Sequence, residues 1–454
     1  MRILLISVNR ETVPAPVAPL GISCIAGVAR REGHQVELLD LCFSDDAEGD
    51  IVRAIERFSP ELIGVSIRNV DNLTFPGSVS YLEEIRSAVE VLKRESLAPI
   101  VAGGPGFSIF PDTILSMLEI PMGIVGEGEE TFCALARNLE EGAEVPELPN
   151  LLRAGERFVF RKNSHFPIDG DAVPARDLLD NLRYLKTGGM GNVQSKRGCP
   201  FGCSYCTYPG INGSDLRLRP AEAVAEELSE MVLRFGIDHA FFVDDIFNWP
   251  PEHAMEICDA ILARELKISW SCFATPLGMT PALASAMREA GCRGVEFGAD
   301  SGSSSMLASL RKPFTRDHLR GASEACRGAS LPDAYYLIFG GPGETAQTMA
   351  ETFALFDEIR PRAVLALIGV RIYPNTPLHK IALAEGMVDH GDDLLLPKFY
   401  ISPHLGADVL LKIVADHAKR RSNWVVPGLG IRSDPALLSA LRRRGHRGPL
   451  WDML

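Results

Sequence analysis

Short apolar runs alternate with longer amphipathic stretches from the first residues onward. Runs at 2–8, 35–40, 62–67, 99–103 and 122–126 are rich in Val, Ile and Leu, and between them apolar residues recur at helical spacing near 20–33, 50–58, 77–95 and 111–119. Single helices between short strands mark βαβ units, so residues 1–135 are expected to fold as a Rossmann-like α/β domain around a parallel sheet. Each expected strand runs into Gly, Pro, Asn or Asp, as at Gly103-Gly-Pro-Gly106 and Gly126-Glu-Gly-Glu129. In open α/β sheets, ligands settle at these carboxyl ends. Over 136–190 the periodicity fades and prolines stand at 146, 149, 167 and 174, which reads as a linker. Alternation returns over 191–386, with six strands expected at 192–197, 239–244, 268–274, 294–299, 333–340 and 363–372. Six such units predict a partial (β/α)6 TIM barrel with its working face at the strand C-termini. Residues 387–454 hold one helix near 407–421 and a basic helix ending Arg442-Arg-Arg444, a small α-rich extension whose arginines read as a solvated face.

With 454 residues, 46% hydrophobic and 23% charged, the chain has material for two or three cored domains. Its 59 acidic against 46 basic residues give a net charge of -13, which repels phosphate backbones, so a nucleic-acid partner is not expected. The first apolar run stops at Asn9 and Arg10, too short for a signal core, and no apolar stretch reaches the length of a membrane span. A cytoplasmic protein without stable membrane insertion is therefore expected. Of ten cysteines, seven (24, 42, 133, 258, 272, 292 and 326) stand singly in apolar surroundings and read as small core residues.

The other three carry the chemistry. In Lys196-Arg-Gly-Cys199-Pro-Phe-Gly-Cys203-Ser-Tyr-Cys206-Thr-Tyr-Pro209 they follow the first expected barrel strand, with Gly198, Gly202 and Pro200 permitting sharp turns. Three thiolates at those intervals can wrap a [4Fe-4S] cluster from one loop. Three ligands for four irons leave one iron open, able to take the amino and carboxylate groups of a methionine moiety. A structural zinc site is the alternative reading and needs four ligands. No second Cys or His pair stands at finger spacing, and the nearest histidines, His165 and His239, are more than thirty residues away.

The C-x3-C-x-aromatic-C loop, with Tyr205 as its aromatic, resembles the signature of the radical S-adenosylmethionine (SAM) superfamily, and the resemblance runs to about residue 386. It implies that Cys199, Cys203 and Cys206 hold the cluster and that SAM lies across the strand ends. Phe241-Phe-Val-Asp-Asp245 ends the second strand, where the family binds the SAM amino group; Asp244 or Asp245 is the matching residue, although the family's Gly-Gly-Glu is absent. Gly294-Val-Glu-Phe-Gly-Ala-Asp-Ser-Gly302 resembles the segment that contacts ribose and carboxylate, with Glu296, Asp300 and Ser301 as candidates. Tyr336-Leu-Ile-Phe-Gly-Gly-Pro-Gly-Glu344 resembles the adenine-side turn, through Ile338, Gly340 and Glu344. Arg371 and Tyr373 could face SAM or substrate, or Arg371 could make a rim salt bridge. Phe247, Trp249 and Tyr400 are candidates for an apolar pocket or for packing.

Residues 1–135 resemble the cobalamin-binding domain that precedes the barrel in one subgroup, that of class B radical SAM methyltransferases. The matching segments are the loop after the first strand with Thr12, Pro19 and Leu20; Ser66, Arg68 and Asn69; Gly103, Gly104 and Pro105; and Gly126, Glu127 and Gly128. The Asp-x-His-x-x-Gly loop that gives cobalt an axial histidine elsewhere is missing, which this subgroup shares, and a degenerate domain without cofactor is the alternative. No G-x-G-x-x-G follows the first strand, so a dinucleotide reading fails. The resemblance implies a two-SAM cycle: one SAM methylates cobalamin, a second yields a deoxyadenosyl radical, and an unactivated carbon of a small-molecule, lipid or natural-product intermediate takes the methyl group. Cyclisation or rearrangement with the same cofactors, and a non-catalytic cobalamin or iron-sulfur sensor, are the rival readings. A small-molecule substrate and an electron donor such as flavodoxin or ferredoxin are the implied partners.

Overall fold

The computed structural model describes residues 1–156 and 173–453. Five parallel strands, β1 (Arg2–Ser7), β2 (Gln35–Asp40), β3 (Leu62–Ser66), β4 (Ile100–Gly103) and β5 (Met122–Ile124), build the first sheet. A sixth, β6 (Leu151–Arg153), joins antiparallel to β5, giving the order β2-β1-β3-β4-β5-β6. Successive residues of β1 serve opposite faces: Leu4 and Ile6 join one core with α2 (Ala47–Phe58) and α3 (Leu82–Glu95), while Ile3 and Leu5 join another with α1 (Leu20–Arg31) and α6 (Glu129–Glu140). Burial on both faces is why the strand reads as one continuous apolar run. The winding direction reverses between β1 and β3, and the crevice beyond their carboxyl ends is the switch point of the sheet.

The second sheet holds seven parallel strands: β7 (Gly191–Val193), β8 (His239–Phe242), β9 (Ser269–Ala274), β10 (Cys292–Asp300), β11 (Asp333–Phe339), β12 (Ala363–Ile368) and β13 (Trp424–Val425). They pair in chain order from β7 to β13, the singly wound sequence of a barrel, and β7 and β13 are not paired with each other. Phe242, Trp270, Val295, Tyr335 and Val364 pack outward with the surrounding helices, and residues of the opposite parity face the lumen. Trp451, from the last turn of the chain, donates from Nε1 to Glu296 Oε1 at 2.8 Å and packs with Ala334 and Ala363.

Four expectations change. The strand expected at 192–197 stops at Val193, because the amides of Ser195 and Lys196 turn to the Asp244 carboxylate at 2.7 and 3.1 Å; Lys196–Arg197 then pairs with Arg217–Leu218. The strand expected at 363–372 breaks at Gly369, and Val370–Arg371 pairs instead with Phe399–Tyr400. The expected linker supplies β6 and the helix α7 (Asn181–Gly188), whose Tyr184 donates to Asp40 of the first sheet at 2.6 Å; its expected irregular middle, with Pro167, lies outside the described residues. The expected α-rich extension also supplies a strand and a lumen plug, and of its three arginines Arg443 and Arg444 face solvent as expected while Arg442 is buried, donating to the Gly448 carbonyl at 2.7 Å.

Candidate active site between the two sheets

The cysteine loop leaves the short pair at Lys196–Arg197 through Gly198, whose φ is +91°. A side chain there would place Cβ 2.2 Å from the Asp215 carbonyl oxygen, so the turn admits only glycine. Cys199 is buried, Cys203 and Cys206 half-buried, and burial pushes the Cys199 thiol up to about 11 and the Cys206 thiol to about 12. The other seven cysteines are buried. Among the described residues, no three His, Cys, Asp or Glu side chains converge on a point fit for one metal ion; in a cuboidal cluster each thiolate takes a different iron. Three thiols in one sheltered loop are a donor set that fits such a cluster.

Asp245 lies against this loop. Its Oδ2 is buried without a hydrogen-bond partner, and burial together with Asp244 pushes the carboxyl up to about 7. Asp244 is spent on the strand break. Of the two aspartates, Asp245 is therefore the one left to receive a cationic group. Glu344 accepts from the Gly340 amide through Oε2, leaves Oε1 buried without a partner, and is pushed by burial to about 7. Gly340 has φ of +102°, and Ile338 is partly buried beside it.

The other expected SAM contacts are engaged within the protein. Glu296 accepts from Tyr336 Oη at 2.9 Å and from Trp451. Ser301 Oγ lies 2.9 Å from Thr352 Oγ1. Arg371 makes the salt-bridge alternative: Nε donates to Asp71 at 3.1 Å, Nη2 to the Leu394 carbonyl at 2.8 Å, and the guanidinium lies 4.9 Å from the Tyr373 ring. Asp300 accepts from Tyr205 Oη at 2.5 Å and from Lys312 Nζ at 2.7 Å. Lys312 was not singled out by sequence, since an isolated lysine in Leu310-Arg-Lys-Pro-Phe314 follows no period and no motif. Phe247 and Tyr400 are core residues, while Trp249 meets Phe201 with centroids 5.9 Å apart.

At the switch point, Gly104 (φ +96°) would set a Cβ 2.6 Å from the Ile67 carbonyl oxygen, so the β3 and β4 end loops press backbone to backbone. The glycine answers first to packing. Ser66 and Asn69 are half-buried there and Thr12 is exposed, with Pro19 and Leu20 opening α1. Arg68 Nη1 is buried without a hydrogen-bond partner, and burial lowers the guanidinium from its usual range. An unpartnered donor in a ligand crevice fits an acceptor-rich cofactor such as a corrin with amide arms. Glu127 points elsewhere: its carboxylate pairs with Arg197 at 3.3 Å and accepts from Arg217 at 2.7 Å. The expected Gly126 turn is held at its amide by Ser108 Oγ at 2.8 Å, and Gly128 precedes α6. Neighbouring Glu129 takes Arg197 Nη2 at 2.5 Å. These arginines flank the cysteine loop, so the β5 end loop is bolted to it, and the short helix α4 (Pro105–Ile109) packs on α8 (Tyr208–Ile211) just after Cys206.

Two family models match the chain. The model of the B12 binding domain matches residues 6–136, and that of the Radical SAM superfamily matches residues 193–356. The chain is 27% identical to an uncharacterised methyltransferase of Pyrococcus horikoshii, over 92% of this chain and 95% of that one. It is 26% identical to the tryptophan 2-C-methyltransferase of Streptomyces laurentii, over 83% and 74%. The solved structure of the radical SAM methyltransferase TsrM from Kitasatospora setae, with tryptophan and a SAM analogue bound, shares the fold with a TM-score of 0.88 at 24% identity, over 99% of this chain and 97% of that one.

Proposed function

Because the chain belongs to the radical SAM superfamily, in the branch where a B12-binding domain precedes the SAM-binding core, we propose that it is a cobalamin-dependent enzyme that methylates an unactivated carbon of a small molecule. The observation that carries the reading is the direct packing of two strand-end edges: α4, which follows β4 and lies against the β3 end loop at the edge of the switch-point crevice, packs on α8, the exit of the cysteine loop. Cofactors held at those edges would face one gap. When bound, the cluster and the corrin supply the electron-transfer and methyl-carrying chemistry, and the protein's part is placement and exclusion of water.

In this reading Cys199, Cys203 and Cys206 hold the cluster. Asp245 meets the SAM ammonium, and Glu344 receives a donor on the adenine side with its free Oε1. Ser66, Arg68, Asn69, Gly103 and Pro105 border the corrin. Glu127, Glu129, Arg197 and Arg217 fix the gap without touching its contents. The lumen suits an apolar substrate surface: Phe273 in β9 is 39% exposed, with its ring 4.9 Å from Phe241 and 6.2 Å from Tyr336. An open aromatic wall favours a planar group, and the tryptophan-methylating relative makes tryptophan and other indoles the first compounds to try.

The test is incubation of anaerobically reconstituted holoprotein, a low-potential reductant and methyl-labelled SAM with that panel. Label on a product carbon is expected. Conversion of a panel compound without label would favour cyclisation or rearrangement.

A further inference from the structure

Lys312 stands where a cluster-forming loop would feel it most. Its side chain is 7% exposed, its Nζ lies 2.7 Å from Asp300 Oδ2, and its positive charge works against the burial that raises the Cys203 thiol. The Tyr205 and Phe314 rings lie 5.9 and 5.4 Å from Nζ and keep the group in an apolar sleeve. Ser204 donates its amide to the Leu310 carbonyl at 3.0 Å, which ties the lysine's own segment to the cysteine loop. Asp300 adopts φ of +64° and is held from the other side by Tyr205, so the pair cannot swing away as a surface ion pair would.

We propose that Lys312 is a positioning residue that raises the reduction potential of the cluster through Cys203, with Asp300 as its opposing charge. This rests on the reading of the three cysteines as cluster ligands. Reduction adds one electron from an external low-potential donor, and no bond forms or breaks. A fixed cation next to one thiolate stabilises the more negative, reduced form, and it acts strongly where water is excluded. Charge near the sulfurs is a known lever on iron-sulfur potentials. Asp300 partly cancels the charge while fixing its direction. Its removal and the removal of the lysine should therefore move the potential in opposite directions, a pattern that mere loosening of the loop would not produce.

The experiment is a potentiometric titration of the reconstituted full chain, without SAM, followed by the electron paramagnetic resonance signal of the reduced cluster, after iron has been counted in each variant. At the potential where half of the wild-type cluster is reduced, Lys312→Met should lower the reduced-to-oxidised ratio about tenfold, as a buried charge at this range would. Lys312→Arg should keep it near wild type, and Asp300→Asn should raise it. Lys312→Met and Asp300→Asn that hold full iron and titrate with the wild type would overturn the proposal. Should Lys312→Met fail to hold iron, Asp300→Asn decides alone, an unchanged midpoint again overturning it. A wild type that binds no cluster would instead overturn the cysteine assignment.

Discussion

Glu344 concentrates the energetics of the site in one carboxyl. Burial holds its folded value near 7 against an ordinary 4.5, so the folded state favours the neutral form. A raised carboxyl stabilises the fold below its unfolded value, and that contribution is lost as pH rises through the folded one. Glu344→Gln, which keeps the shape and an acceptor for the Gly340 amide, should leave the melting temperature of the ligand-free protein unchanged at pH 4.5. At pH 8 it should stabilise by up to about 3 kcal/mol, read as a higher melting temperature. Arg371 behaves oppositely. Because it is buried against Asp71 and two backbone carbonyls, Arg371→Met should cost about 3 to 5 kcal/mol by stranding the aspartate. SAM affinity, measured by titration of the folded fraction, should hardly change; a large loss at full stability would return Arg371 to the SAM site. Sequence alone named both readings of Arg371 and could not choose, since its partner lies 300 residues away.

Among the elements, the strands and helices that repeat were legible, because both faces of the first sheet and the outer face of the second are buried and write their periods plainly. What escaped was where a strand stops. Asp244 ends β7 by drawing the amides of Ser195 and Lys196 out of the ladder, and Gly369 ends β12 with φ of +73°. Both breaks fall at the rim, where the chain must leave the sheet to form the loops of the site. Asp244→Ala should leave those buried amides unpaired at about 1 to 3 kcal/mol each, measurable by thermal denaturation of the ligand-free chain. The cysteine loop stood out as a motif because its spacing is local. Lys312, Arg197 and Arg217 did not, because their partners come from other elements: Asp300 at the end of β10 for the lysine, and Glu127 and Glu129 beyond β5 for the two arginines.

Across the whole molecule, the core of the first sheet runs on into the segment that follows the second sheet's β12: Val65, Phe107 and Leu115 cluster with Val370, Leu378 and Tyr400. Glu127 and Glu129 pair with Arg197 beside the cysteine loop. No helix of the described residues is long and apolar enough to cross a membrane. Such continuity predicts a single cooperative transition in scanning calorimetry, and two well-separated transitions would show that the gap between the sheets is not fixed. In the proposed reading, one body would hold both an iron-sulfur cluster, through Cys199, Cys203 and Cys206, and a corrin at the edge of the first sheet. Counting iron and cobalt in anaerobically reconstituted wild type and in the Cys199→Ala, Cys203→Ala, Cys206→Ala variant tests that reading most directly. About four irons and one cobalt per wild-type chain, with the iron lost and the cobalt kept in the variant, is the predicted result. Iron retained without the three thiols, or a wild type that takes up zinc and no corrin, would contradict it.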